Sequence, residues 1–261
     1  MHTVTSADGT PIAFWRSGQG PPLLLVHGST ADHTTTWHFV LPLFERHFTV
    51  YLMDRRGRGG SGDSADYRLE REAEDIIAVL GAIGQPAHLL GHSYGALCAL
   101  EAARLVTDVR SLVLYEVPLR TGDERVLEAV NRMDALLAEG DREGALVTML
   151  REVVDMPERE VELLRSQSEA WSARLGNAGT VPRELRAVEE YEFEPERFRD
   201  VSTPTVLMVG EESPRRELDH TSMVAAALPD ACVVVLPEQQ HVAMYTAPEL
   251  FVDRVVAAVG K

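Results

Sequence analysis

The 261-residue sequence predicts an α/β protein: a doubly wound, mostly parallel sheet that carries a helical insertion over one edge. Three observations predict it. Short runs at 22–27, 48–53, 88–90, 111–117, 205–209 and 232–236 are mostly apolar at every position rather than alternating, which is the pattern of strands buried on both faces. Helical periodicities separate these runs. One long stretch, 118–201, holds helical patterns and no convincing strand.

The elements follow in order. Runs 2–5 and 11–16 flank Asp8-Gly9, a hairpin turn signal, and are expected to form an antiparallel edge. The 69–83 segment sets Ile76, Ile77, Leu80 and Ile83 at helical spacing, with polar partners facing out. The 97–105 segment is dense in Ala and Leu, and 249–259 follows Pro248, a residue tolerated in a first helical turn. In the insertion, 126–139, 144–154 and 161–175 are helix candidates, punctuated by 176–180 and Pro182. The expected organisation is a core of 1–117 and 202–261 with a helical lid, 118–201. No internal repeat or low-complexity tract interrupts it.

Composition excludes several classes. A hydrophobic fraction of 45% supports a substantial core, and the net charge of -16 argues against a nucleic-acid-binding face. No apolar run approaches the ~20 residues of a membrane span, and the first residues lack the basic-then-apolar pattern of a secretory signal. Cys98 and Cys232 both read as buried thiols, which fits a reducing cytoplasm, with a bridge between them left open. The expected partner is a small-molecule substrate, and self-association into a homodimer is left open.

The strongest local signal is Gly91-His92-Ser93-Tyr94-Gly95, between a strand ending at 90 and a helix starting at 96. Gly-x-Ser-x-Gly in that setting makes a sharp turn that projects the serine hydroxyl at the carboxyl end of the sheet, against the amino end of a helix. Serine needs a base to take its proton. His241 follows the last strand and is the candidate; His92 is adjacent to Ser93 but is expected to point elsewhere, and His220 is expected to be exposed in a polar helical stretch. The loop His27-Gly28-Ser29-Thr30 after an early strand is placed to supply an oxyanion hole, from the amides of Ser29 and Tyr94. Trp37, Trp171, Val242 and Met244 are candidate substrate-binding residues between sheet and lid.

These pieces, together with Asp54-Arg55-Arg56-Gly57-Arg58-Gly59-Gly60-Ser61-Gly62, resemble the α/β-hydrolase superfamily over nearly the whole chain. The resemblance is to its small bacterial esterase, cofactor-free haloperoxidase and carbon–carbon hydrolase branch. It implies the α/β-hydrolase fold, a Ser–acid–His triad, and a structural role for the Asp54 turn. The sequence departs from the family pattern at the acid. Where relatives carry Gly-x-x-Asp, this chain has Gly210-Glu211-Glu212-Ser213. Glu116, at the end of the apolar run 111–117, is the first replacement, because a carboxylate buried there needs a partner; some relatives place their acid after this strand. Glu212 is the second.

Gly57 to Gly62 also fits a dinucleotide fingerprint, but residues 63–67 continue as loop where that motif requires a helix, so no cofactor is expected. His33 and His38 do not share a helix face and no Cys/His cluster has zinc spacing, so no metal is expected. The expected reaction is hydrolysis of a small, mostly apolar carboxylic ester or related bond through an acyl-enzyme. A lyase, cyclase or epimerase on the same scaffold, and a ligand-binding receptor, are the alternatives.

Overall fold

A computed structural model describes residues 1–260. Eight strands form one sheet: β1 (His2–Thr5), β2 (Pro11–Gly18), β3 (Pro22–Val26), β4 (Thr49–Met53), β5 (Ala87–His92), β6 (Val109–Tyr115), β7 (Thr205–Gly210) and β8 (Ala231–Leu236). Their spatial order is β1-β2-β4-β3-β5-β6-β7-β8. β1 pairs antiparallel with β2, and β2 with β4, and every later pairing is parallel. The turn at Asp8-Gly9 closes the first hairpin, with Gly9 at φ 91°.

Strand β3 shows why the central runs are apolar throughout. Leu24 and Val26 face one core layer, with Ile76 and Leu97; Leu23 and Leu25 face the other, with Phe44 and Phe251. Both faces are covered by helices, so alternate positions differ in direction but not in polarity. Helix α1 (Leu41–Phe44), which was not anticipated, and the last helix cover the second face, while α2 (Leu69–Ile83) and α3 (Tyr94–Leu105) cover the first.

Between β6 and β7 the chain is helical: α4 (Glu124–Ala138), α5 (Arg142–Thr148) running into a π-helical turn at Met149–Val153, α6 (Glu158–Ser166), α7 (Ser168–Asn177) and α8 (Val181–Glu190). Helix α8 lies where the sequence pattern reads only as punctuation. Pro182 sits in its first turn, so the apparent breaker is a helix starter. Helix α9 (Arg215–Ala227) joins β7 to β8, and α10 (Ala243–Thr246) and α11 (Pro248–Val259) end the chain. Among the described residues, no helix is long and apolar enough to cross a membrane.

Two burial expectations fail for the same kind of reason. Cys232 is exposed, not buried, because β8 is the sheet edge and pairs only with β7; Val233 and Val235 beside it are also exposed. Cys98 is buried as expected, and both thiols are free. His220 is buried, not exposed: its Nδ1 accepts from the Leu119 amide at 3.3 Å, a contact made across the insertion.

Candidate active site

Ser93 stands on the turn between β5 and α3 with φ 54° and ψ -129°, a conformation non-glycine residues rarely adopt. Its amide donates to Tyr115 O at 2.8 Å, which fixes the turn to β6. The flanking glycines are required by close approach. A Cβ on Gly91 would lie 2.5 Å from Ala96 Cα, and one on Gly95 would lie 2.3 Å from His27 O. Both neighbours are backbone. Gly95→Ala is therefore expected to lower stability by about 1–3 kcal/mol or more, measured by urea unfolding. An unchanged midpoint would show that the β3 end can retreat.

His241 follows β8. Its Nδ1 lies 2.6 Å from Glu116 Oε2 and donates to it, since an ionised carboxylate only accepts. Glu116 is fully buried and has φ 53°, a second strained position. Its other oxygen accepts from the Gly210 amide at 3.1 Å and from the Ser213 hydroxyl. Burial alone would raise the Glu116 pKa, but His241, Ser213 and Gly210 together hold it below the usual carboxylate value. Burial likewise opposes charge on His241, yet the Glu116 carboxylate outweighs it, with help from Glu217 and Glu160, and raises the imidazole pKa. The departure at residue 213 now has a physical account: Ser213 donates to the displaced acid. Glu212 points away, is half-exposed, and pairs with Arg159. The structure thus brings Glu116, not Glu212, to His241.

Further groups hold the histidine loop. Tyr115 OH donates to Gln240 O, and His92 Nε2 donates to His241 O at 3.0 Å. Burial depresses the His92 pKa, which keeps it neutral and suited to this supporting contact. On the opposite side, Ser29 Oγ donates to Glu184 Oε2 at 2.7 Å, and Thr30 has φ 65°. Tyr94 is the first residue of α3, so its amide has no partner within the helix. Its ring lies under Arg55, 4.6 Å from the guanidinium carbon.

Two adjoining cavities of unequal size lie at this point. Ser29, Ser93, Met149, Val154 and His241 border both. Glu116 and Tyr94 border the larger, with Glu217, whose carboxyl burial pushes up to about 7. Val242 and Met244 border the smaller. Trp37 and Trp171, expected to line the pocket, border neither. Both pack in the core, Trp37 edge-on to His92 at 6.5 Å and Trp171 beneath Arg165. Asp54 takes the structural position expected of it, accepting from the amides of Gly60 and His33. Sequence reasoning did not single out Ser213, Glu217, Thr30 or Arg174. A serine at the family's acid position was the available signal for the first; the others look like ordinary helix or loop residues.

The alpha/beta hydrolase family model matches residues 23–254. In structure, the chain resembles an alpha/beta hydrolase from Sphaerobacter thermophilus, 37% identical, with TM-score 0.81 over 96% of this chain and 100% of that one. In sequence, it is 40% identical over 119 residues to N-formylmaleamate deformylase of Pseudomonas putida, 44% of each chain. It is 24% identical to (E)-2-((N-methylformamido)methylene)succinate hydrolase of Acinetobacter baylyi, over 95% of this chain and 93% of that one. The chain spans under half the length of the deformylase it matches. With the family model covering most of its length and the sheet order above, the chain belongs to the alpha/beta hydrolase family and has its fold.

Proposed function

We propose that the chain is a serine hydrolase that cleaves a small, mostly apolar carboxylic ester or a related acyl bond through an acyl-enzyme. The observation that carries this reading is one cavity bordered by both the strained Ser93 and His241, with Glu116 bound to the far ring nitrogen of that histidine. Ser93 Oγ adds to the substrate carbonyl carbon while His241 Nε2 takes its proton. Glu116 holds the ring in the tautomer that leaves Nε2 free to accept, and stabilises the imidazolium. The amides of Ser29 and Tyr94 donate to the oxyanion. His241 then returns the proton to the leaving group as the carbonyl–heteroatom bond breaks. Water, deprotonated by the same ring, releases the acid and regenerates Ser93. Relatives named as a deformylase, a methyl ester esterase and a hydrolase support cleavage of this general kind.

The test is turnover of p-nitrophenyl acetate and butyrate, combined with labelling by a fluorophosphonate. Ester turnover and a single adduct on the peptide carrying Ser93 are expected. Turnover that persists without any adduct, or an adduct on another residue, would remove Ser93 as nucleophile.

A further inference from the structure

The smaller cavity holds a charge that no carboxylate among the described residues neutralises. Arg174, in the last turn of α7, borders it and is only 6% exposed. Its Nη1 donates to Thr30 Oγ1 at 2.9 Å and its Nη2 to Tyr245 OH at 3.2 Å, both neutral groups, while Nε has no partner. Among the described residues, no carboxylate lies within 4.0 Å of it. The other deeply buried arginines are all compensated: Arg55 by Glu72 and Glu184, Arg56 by Asp8 and Asp75, Arg58 by Glu184. The fold pairs buried guanidinium groups as a rule, and it makes an exception where one faces the chamber beside Ser93.

An unpaired buried cation is strongly unfavourable. The end of α7 and the Tyr245 ring, 5.8 Å away, offset only part of this, because a helix-end dipole and a distant aromatic face are weak beside a full counter-charge. The chamber is otherwise suited to an anion. Leu150, Met156, Leu164, Val242 and Met244 border it and exclude water, which strengthens an ion pair formed inside. The Thr30 hydroxyl accepts from Arg174 and donates to no described atom, so its proton is free for a second contact. Thr30 adjoins Ser29, so an anion held there sits close to the reacting carbonyl.

We infer that the substrate carries a free carboxylate, which Arg174 and the Thr30 hydroxyl bind in the smaller cavity while the scissile acyl group sits at Ser93. One guanidinium and one hydroxyl match a planar monoanion better than a phosphate dianion. The preferred substrates are then half-esters or half-amides of short dicarboxylic acids rather than neutral esters. This deepens the hydrolase reading and rests on it.

The test compares kcat/KM for monomethyl succinate, glutarate and adipate with the same esters bearing a carboxamide in place of the free carboxyl. The wild type is expected to favour the acid by about tenfold or more for at least one length, as a charge-assisted contact would give. Arg174→Gln should bring that ratio to about one, and Arg174→Lys should leave it in between. A wild-type ratio near one at every length overturns the inference, as does a preference that survives in Arg174→Gln. Should Arg174→Gln fail to fold, the wild-type ratio and the Arg174→Lys variant decide. Should none of these esters turn over, calorimetric binding of glutarate against glutaramide to the wild type reads the same preference without chemistry, and equal binding overturns it. The hydrolase reading is judged separately, by labelling and turnover on p-nitrophenyl esters.

Discussion

Ser93→Ala is expected to lower ester hydrolysis by about 10⁶-fold, and Glu116→Gln by about 10³- to 10⁴-fold, both in kcat. The two losses have different origins. Ser93→Ala removes the atom that bonds to the substrate. Glu116→Gln keeps the shape but offers His241 a neutral partner, and its amide can present either a donor or an acceptor to Nδ1. Where it donates, the ring takes the wrong tautomer and Nε2 can no longer accept the serine proton. The pH profile separates this from simple misfolding. His241 must be neutral to act as base, so kcat/KM rises with pH through its pKa. Glu116 raises that pKa, so the acid limb of the wild type lies above the ordinary imidazole value. Removing the carboxylate leaves burial to dominate, and the limb should move to lower pH in Glu116→Gln. Glu217 and Glu160 also raise the His241 pKa and should limit the shift. An acid limb that stays in place would mean that Glu116 does not set the charge of His241. If Glu212→Gln, altering a half-exposed side chain bound to Arg159, lost as much activity, the acid would be misassigned.

Local signals and non-local contacts divide what the sequence reveals. The turn at Ser93 is legible because its glycines, strand and helix are contiguous, and the steric demands on Gly91 and Gly95 arise within that unit and its neighbour β3. Glu116 is legible by contradiction: a carboxylate closing an apolar strand needs a partner, and the partner lies 125 residues away. Arg174 is not legible. An arginine in the last turn of a short helix reads as solvated whatever its neighbours, and only the docking of α7 over the Ser29–Thr30 loop buries it. Cys232 fails in the opposite sense. An apolar strand at the sheet edge has the same composition as one at the centre, and only the strand order shows that β8 has a single neighbour. Trp37 and Trp171 fail because large aromatic residues near a site serve packing as readily as binding.

Glu184→Gln is expected to destabilise the protein by about 3–5 kcal/mol, the cost of leaving a buried charge without its counter-ion. Glu184, on α8, is fully buried and accepts from Arg55 Nη2 at 2.9 Å, from Arg58 Nη2 and from Ser29 Oγ. Burial would raise its pKa, but Arg55 and Arg58 outweigh burial and lower it. Arg55 retains Glu72 when Glu184 is neutralised; Arg58 has no second carboxylate and is left with Thr180, Gly28 O and Ala31 O. The sign follows from the depressed pKa. The stabilisation is full above the unfolded carboxyl value of about 4.3 and is lost as pH falls through the lower folded value. The gap between wild type and Glu184→Gln in urea unfolding should therefore be constant near neutrality and narrow in acid. If the unpaired cation is the main cost, Glu184→Met/Arg58→Met should be more stable than Glu184→Met alone, although the two carbonyls lose their donor. A loss below about 1 kcal/mol in Glu184→Gln would show that water or movement of α8 compensates Arg58. The same residue connects stability to chemistry. Ser29 is held by Glu184 through its hydroxyl, so the folded fraction of Glu184→Gln should show a lower kcat with KM less affected, as a loosened oxyanion loop requires.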